Sequence, residues 1–303
     1  MKAWILTMVI CFSSLSPILA QGIEIAFAVP AQHDQLSNNT AKILRSKLLP
    51  AMTENGIETV ETSCIAVKPE ISFANRQVAE GGMKNIVTSD ILFNFTCTNL
   101  ITGTTFANCV ISVRGEGYND DDVIKNALAK ISPQDQQLAA FIITSKNKIL
   151  NYYQQNLGAI ISRAHTFANI QQYGEGLGLL FSCPSTIPGY AKVNDEIVSI
   201  YRQYQKHECE NLLQKARAEY ANGNYEDAAH WLRQMDMTST CSPEAKQLCQ
   251  KIKLSRDEEA KRIINMIEKQ YQREAETEKE RIKAARDIAV AYYKQRTNIA
   301  FVW

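Results

Sequence analysis

One pattern of residues occurs twice in this chain. Leu212 of the second copy follows Ile160 of the first copy by 52 positions. The other members of the pattern keep this separation. The first copy consists of Ile160, Ile161, Ala164, Tyr173, Gly176 and Leu180. The second copy consists of Leu212, Leu213, Ala216, Tyr225, Ala228 and Leu232. Repetition of this length is typical of helical repeats, because each unit buries its apolar face against a neighbour. The duplication therefore predicts an all-α repeat domain in which these residues pack between helices.

The first 20 residues have the order of a secretory signal peptide. Lys2 precedes an apolar run over residues 3–12, and small residues follow as far as Ala20. This order is typical of a segment that directs export and is then removed. A membrane anchor is the alternative, but Ser13, Ser14 and Pro17 leave the run too short to span a bilayer. We therefore expect a periplasmic or outer-membrane-associated protein in a bacterium, or a secreted protein in a eukaryote.

The mature chain has a balanced charge. Lys2 is the charged residue of the leader, so its removal reduces the 33 basic residues to 32, which equals the 32 acidic residues. Such a balance gives no electrostatic attraction to nucleic acid. No later segment is apolar for long enough to predict a membrane span. The glycine-rich run at 174–178 has neither a preceding strand nor a following Lys-Ser or Lys-Thr pair, so we expect no nucleotide cofactor.

Residues 21–131 have the pattern of an α/β module. Apolar side chains occupy every second position from residue 23 to 29, which predicts a strand, and a helical pattern follows. A hairpin is predicted with strands at 91–97 and 107–113 and a turn at 102–104. Centring this hairpin on Gly103 places Cys97 opposite Cys109, so we expect a cross-strand disulfide, with two buried free thiols as the alternative.

Seven cysteines remain after the leader, and in an exported chain they are disulfide candidates before they are metal ligands. We expect Cys183 to pair with Cys209 and Cys241 to pair with Cys249, because each bond would attach a loop to the helix that follows. This arrangement leaves Cys64 unpaired. The sequence has no C-x-x-C motif and its four histidines are scattered, so no metal site is expected.

The strand pair, the glycines at 115 and 117 and the capped helix that ends near Ile131 resemble a group of bacterial envelope domains. These are the TolB amino-terminal-like and curli-secretion-like modules. The resemblance covers about residues 23–131. It implies a scaffold of sheet and helices that contacts other proteins and holds no cofactor.

The second copy resembles a tetratricopeptide repeat, through the relative spacing of Ala216, Gly223, Tyr225, Ala228 and Leu232. The resemblance covers about residues 157–253 and implies antiparallel helix pairs, with Gly223 in the turn and Ala228 at the close approach. In the first copy Gln171 replaces the turn glycine and Gly176 replaces the small alanine. The separation of 52 exceeds the usual period of about 34 residues, so we expect an inserted helix at 192–209.

The carboxyl-terminal part divides into a charged segment and an apolar end. Residues 255–296 contain neither Gly nor Pro, which predicts a long charged helix over 255–297 that is solvated or forms a coiled-coil seam. Residues 298–303 are apolar and favour β structure. They either fold back as a strand on their own domain or dock on a partner through Ile299, Phe301 and Trp303.

Together these patterns predict an α+β protein: an α/β sheet module at 21–131, a helical-repeat domain at 132–254 and a long carboxyl-terminal helix. No arrangement of residues predicts catalysis, so we expect no enzyme. The leading hypothesis is a scaffold or adaptor of the bacterial cell envelope whose partners are other proteins or further copies of itself. The alternative is a glycan- or peptidoglycan-binding module that uses Tyr152, Tyr153, Tyr173 and Trp231.

Overall fold

The computed structural model describes residues 22–30, 38–80, 84–236, 238–271, 278–296 and 299–302. The predicted leader and Trp303 lie outside these ranges. In the described ranges, the apolar stretches of the helices are too short to cross a membrane. The architecture is α+β, as the sequence predicts, with a mixed sheet followed by helices.

The amino-terminal sheet has the strand order β2-β1-β3-β4-β5. Strand β1 runs parallel to β2 and β3, whereas β3, β4 and β5 are antiparallel. Helix α1, Asn38–Glu54, connects β1 to β2, and α2, Asp120–Lys130, follows β5. The strands are β1 Ile23–Pro30, β2 Ile57–Thr59, β3 Ile65–Ala79, β4 Ile86–Asn99 and β5 Thr105–Gly117.

The β4–β5 hairpin has a different register from the predicted one. Cys97 lies opposite Ala107, and Cys109 lies opposite Phe95. This register does not place the two cysteines opposite each other, so the predicted Cys97–Cys109 disulfide is wrong. Their positions are diagonal rather than opposite, and a diagonal separation of about 7–8 Å exceeds the reach of a disulfide.

The loop of this hairpin explains the change of register. The Asn99 side chain accepts hydrogen bonds from the backbone N–H groups of Ile101 and Thr102, at 2.8 and 3.0 Å. The register also shifts between Cys97 and Thr98. A displacement by two residues keeps each side chain on its own face of the sheet. The alternation of apolar residues therefore could not distinguish the two registers.

The helical part begins with two hairpins, each a long helix followed by a helix of nine residues. The expected separate helix at 192–209 does not exist, because α5 runs through this range and into the second copy without a break. The helices are α3 Gln136–Asn169, α4 Tyr173–Phe181, α5 Tyr190–Ala221, α6 Tyr225–Arg233, α7 Ser242–Lys253, α8 Glu258–Tyr271 and α9 Glu278–Arg296.

The turns of the two hairpins have the same backbone geometry. Gly223 has a φ of 82°, and Gln171 has a φ of 62° although it is not glycine. In both turns this residue donates to the carbonyl three positions earlier, and the next residue donates to the carbonyl five positions earlier. Gln171 thus occupies a left-handed conformation that glycine adopts without steric cost.

The small residues of the two copies lie where the paired helices approach each other. A Cβ atom added to Gly176 would lie 2.8 Å from the Ala164 carbonyl oxygen, so this position requires glycine. In the second copy, Ala216 and Ala228 are both fully buried. Leu180 and Leu232 are also buried, whereas the side chains of Tyr173 and Tyr225 are half-buried.

The apolar core consists of two large clusters. The first joins the sheet to α3, α4, α9 and the first half of α5. The second joins the remainder of α5 to α6, α7 and α8. Helix α5 contributes to both clusters, and the first cluster includes residues on both sides of position 131.

The range predicted as a charged helix contains α8 and α9, and residues 272–277 between them are outside the described part. Ile263 and Ile267 of α8 are buried in the second cluster, and Ala285 and Ala289 of α9 are buried in the first. Both apolar stripes therefore pack within the chain's own core. They are not available as a coiled-coil seam.

The carboxyl terminus forms a short strand, β6 Ile299–Phe301, antiparallel to β1. The carbonyls of Ile25 and Phe27 accept hydrogen bonds from the N–H groups of Val60 and Val302. Carbonyls two residues apart on a strand point to the same side. Strands β2 and β6 therefore pair in succession with the same edge of β1. The segment thus folds back on its own domain, the first of the two predicted alternatives.

The structure contains one disulfide among the described residues, between Cys209 and Cys241. Both predicted bonds of this region are wrong. Cys241 caps α7 and Cys249 lies eight residues along it, about 12 Å away, which exceeds disulfide reach. Cys183 precedes α5, whereas Cys209 lies far along that continuous helix.

The two turns generate a prediction. We expect Gln171→Gly to raise the free energy of unfolding by up to about 1 kcal/mol, because glycine removes the steric cost of the left-handed conformation. The matched change Gly223→Gln should lower it by about 1 kcal/mol. Urea denaturation measures both, and a stabilised Gly223→Gln protein would contradict the equivalence of the turns.

The disulfide generates a second prediction. It closes a sequence separation of 32 residues, so replacing Cys209 and Cys241 together by alanine should lower the free energy of unfolding by about 2–4 kcal/mol. Cys249→Ala is the control, because Cys249 is a buried free thiol of the same cluster. Equal losses in the two proteins would show that the bond contributes nothing beyond the packing of its sulfur atoms.

Candidate functional site

A cavity of about 670 Å³ lies between the edge of the sheet and the helices. Its walls come from four parts of the chain that are distant in sequence. They are the start of β1, the segment before β3, the α4–α5 connection with the start of α5, and α9. The lining includes Glu24, Ser63, Cys64, Phe181, Cys183, Tyr190, Asn194, Lys283, Arg286 and Tyr293.

Hydrogen bonds fix the wall that the sheet contributes. The Ser63 hydroxyl donates to the carbonyl of Glu24 at 3.0 Å and accepts from the N–H of Ile65 at 3.1 Å. The carbonyl of Cys64 accepts from the N–H of Leu100 at 2.7 Å. These bonds hold the segment before β3 between β1 and the end of β4.

Helix α9 forms the opposite wall and is attached at two points. The buried Tyr293 hydroxyl donates to the carbonyl of Gly178 at 2.5 Å. A Cβ atom added to Gly178 would lie 3.1 Å from the Tyr293 ring, so glycine allows the close packing of α4 on α9. At the other point, Arg286 forms an ion pair with Glu24 of β1.

Burial keeps the thiols and phenols of the cavity wall in their neutral forms. Burial raises the pKa of the Cys64 and Cys183 thiols to about 12. Burial likewise raises the pKa of the Tyr190 and Tyr293 hydroxyls above their ordinary value. At neutral pH these thiols and phenols are therefore protonated, and a protonated thiol is a poor nucleophile.

Positive side chains occupy one side of the cavity. Lys279, Lys283 and Arg286 are spaced by four and three residues along α9, which places them on one face of the helix. The two lysines are exposed and have no ion-pair partner in the described part of the chain. The guanidinium group of Arg286 forms an ion pair with Glu24. Glu280 also lines this wall, so the wall carries a positive excess from the two lysines rather than positive charge alone.

The described residues contain no group of three or more His, Cys, Asp or Glu side chains placed to hold a metal ion. The four aromatic residues of the glycan hypothesis lie in three places. Tyr152 and Tyr153 pack on Phe106 in the first cluster. Tyr173 contacts Tyr204, and Trp231 lies under the ammonium group of Lys215, 4.6 Å from it.

Of the predicted docking residues, Phe301 packs against the small side chains of Ala26, Ala28 and Ala66. Ile299 belongs to β6, and Trp303 is outside the described part.

The cavity itself is not predicted by the sequence patterns. The sequence feature that could have indicated the cavity is a pair of Ser-Cys dipeptides, at 63–64 and 182–183, each beside a predicted element.

The attachment of α9 generates a prediction. Tyr293→Phe should lower the free energy of unfolding by about 1 kcal/mol, because it removes a buried hydrogen bond. Tyr292→Phe is the matched control, since the half-buried Tyr292 hydroxyl donates a longer and weaker hydrogen bond, 3.4 Å, to Glu175. Thermal and urea unfolding compare the two. An equal or larger loss in Tyr292→Phe would contradict the role given to Tyr293.

No protein-family model matches this chain, and no curated protein matches it. Among solved structures, it is similar to a crystal structure of a minor lipoprotein from Acinetobacter baumannii, with a TM-score of 0.24 and 13% sequence identity. The similarity covers 42% of this chain and 92% of that chain. At this TM-score the similarity carries no argument about function.

Proposed function

We propose that this chain is an exported, non-enzymatic scaffold of the bacterial cell envelope that holds a segment of a partner protein in the cavity between the sheet and α9. The observation that carries the proposal is the wall of that cavity. It combines apolar surface, hydroxyl groups and exposed lysines with thiols and phenols that are neutral at physiological pH.

Export is supported by two features of the chain. The first 20 residues have the order of a signal peptide. The bond between Cys209 and Cys241 belongs to a compartment in which thiols are oxidised. A cytosolic protein would keep these cysteines reduced.

Binding rather than catalysis is supported by the state of the polar groups. A catalytic thiol needs a lowered pKa, whereas burial raises the pKa of Cys64 and Cys183 to about 12. Glu24 is occupied by Arg286, and the Ser63 hydroxyl is occupied by backbone groups. These contacts fix the shape of the wall and engage Glu24 and Ser63 within it.

The cavity also suits a particular kind of segment. A volume of about 670 Å³ lies within the usual range of about 300–1,000 Å³ for ligand pockets, and it accommodates a few residues of a peptide. Phe181 and Ile282 supply apolar surface, and Asn194 supplies a polar side chain. Lys279 and Lys283 at the wall favour a segment that carries an acidic group.

A photo-cross-linking experiment tests this proposal. The photoreactive residue benzoylphenylalanine replaces Asn194 in the cavity wall, or Leu254 as a control that is 87% exposed and does not line the cavity. Irradiation in the native host should give a discrete protein adduct from position 194 and not from position 254.

Charge reversal makes the test specific. Combining Lys279→Glu with Lys283→Glu should reduce the adduct from position 194 by about tenfold, because two exposed attractions become repulsions. The unfolding midpoint should stay unchanged, since both lysines are exposed. An undiminished adduct, or equal adducts from positions 194 and 254, would contradict the proposal.

A further inference from the structure

Two thiols from distant parts of the chain face the same cavity. Cys64 lies immediately before β3, and Cys183 lies two residues after α4. Both line the cavity wall. Their side chains are nevertheless well packed, since Cys64 is 2% exposed and Cys183 is 4% exposed.

The two thiols share their surroundings. Tyr293, which donates to Gly178 in α4, lines the cavity together with Cys64, and Cys64 contributes to the raised pKa of its hydroxyl. The hydroxyl of Tyr153 is close enough to both sulfur atoms that each contributes to raising the pKa of that hydroxyl. Burial is the main cause of the raised pKa of the Cys183 thiol, and Cys64 contributes a smaller part. The segment before β3 and the end of α4 therefore both border the cavity beside Tyr293.

The other cysteines have different surroundings. Cys209 is bonded to Cys241, and Cys249 is buried with them in the second cluster. Cys97 lies opposite Ala107 and Cys109 donates to the carbonyl of Gln137, both on the sheet's helix-covered side. Within the described residues, Cys64 and Cys183 are thus the two free thiols that line one cavity.

We propose that Cys64 and Cys183 form a second disulfide in the exported protein, which joins the sheet to the end of α4 across the cavity wall. Cys183 belongs to the irregular connection between α4 and α5. The bond requires Cα atoms about 4.4–6.8 Å apart, and it would replace the contact of the Cys183 thiol with the carbonyl of Leu179.

The bond forms by thiol–disulfide exchange with a disulfide-bearing oxidoreductase of the export compartment. One thiol loses its proton and attacks the oxidoreductase disulfide, which gives a mixed disulfide and one oxidoreductase thiolate. The second thiol then loses its proton and displaces the remaining oxidoreductase sulfur. The two cysteines lose two protons and two electrons in all, and the oxidoreductase leaves as a dithiol.

Burial sets the time at which this exchange takes place. The folded thiols have a pKa of about 12, so almost none is present as the reactive thiolate at neutral pH. The exchange therefore precedes the burial that leaves Cys64 only 2% exposed and Cys183 only 4% exposed. Once formed, the bond is protected by the same burial.

Disulfide mapping tests the proposal on the full mature protein. The protein is purified from an oxidising compartment, denatured in N-ethylmaleimide, digested without reduction and analysed by mass spectrometry. We expect a linked Cys64–Cys183 peptide, with N-ethylmaleimide on Cys97, Cys109 and Cys249. The Cys209–Cys241 peptide is the internal control for oxidation. N-ethylmaleimide on Cys64 and Cys183 in protein that contains the control peptide would overturn the proposal.

A second measurement uses the protein in which Cys209 and Cys241 are both alanine. Unfolding and refolding this protein in dithiothreitol, which reduces the protected bond, should lower its melting temperature by several degrees, because the proposed bond is then the only disulfide predicted for it. Adding Cys64→Ser should abolish this response. No response in the parent variant would overturn the proposal. Neither readout involves a partner, so the result is separate from that of the cross-linking test.

Discussion

The packing of α9 against α4 is the contact on which the remainder of the amino-terminal half depends. Gly178 provides the space and the carbonyl, and Tyr293 fills that space and donates its hydroxyl proton. The same helix carries Arg286 to Glu24 and leads the chain to β6 on the edge of β1. Without α9, the cavity would lose one wall and the first core cluster would lose Ala285, Ala289 and Tyr293.

The two helical hairpins form a frame for this contact. Helix α5 is continuous over 32 residues and contributes to both core clusters, so it connects the sheet side of the molecule to the second hairpin. The Cys209–Cys241 bond joins α5 to the start of α7 and fixes the second cluster. Helices α8 and α9 each cover one cluster. The duplicated pattern thus gives a support on which the carboxyl-terminal segment packs, and that segment completes the proposed binding site.

The sequence predicts most of the elements because their apolar periods are regular. The α+β class, the strands of the hairpin and the two helix pairs follow from periods of two and about 3.6 residues. Register and pairing do not follow from these periods. Moving Cys109 from opposite Cys97 to opposite Phe95 preserves the apolar face, so only the bonds of Asn99 in the loop decide between the two arrangements.

The cavity could not be predicted for a similar reason. Its walls combine Ser63, Cys183 and Arg286, which are separated by more than a hundred residues at each step, and no local pattern reports such a distance. Gln171 gives a further example. The residue type at this position suggests that the turn glycine is lost. The structure nevertheless retains the turn, with a φ of 62° at Gln171, because the hydrogen bonds around it compensate the steric cost of the left-handed conformation.

Hydrogen exchange measured by mass spectrometry tests the central claim, that α9 is a permanent wall of the cavity. Amide protection in α9 should equal that in α4, because the two helices share one core cluster and separate only in a larger unfolding event. Exchange in α9 at the rate of an unprotected peptide, while α4 stays protected, would contradict the account and show that α9 is a separate arm.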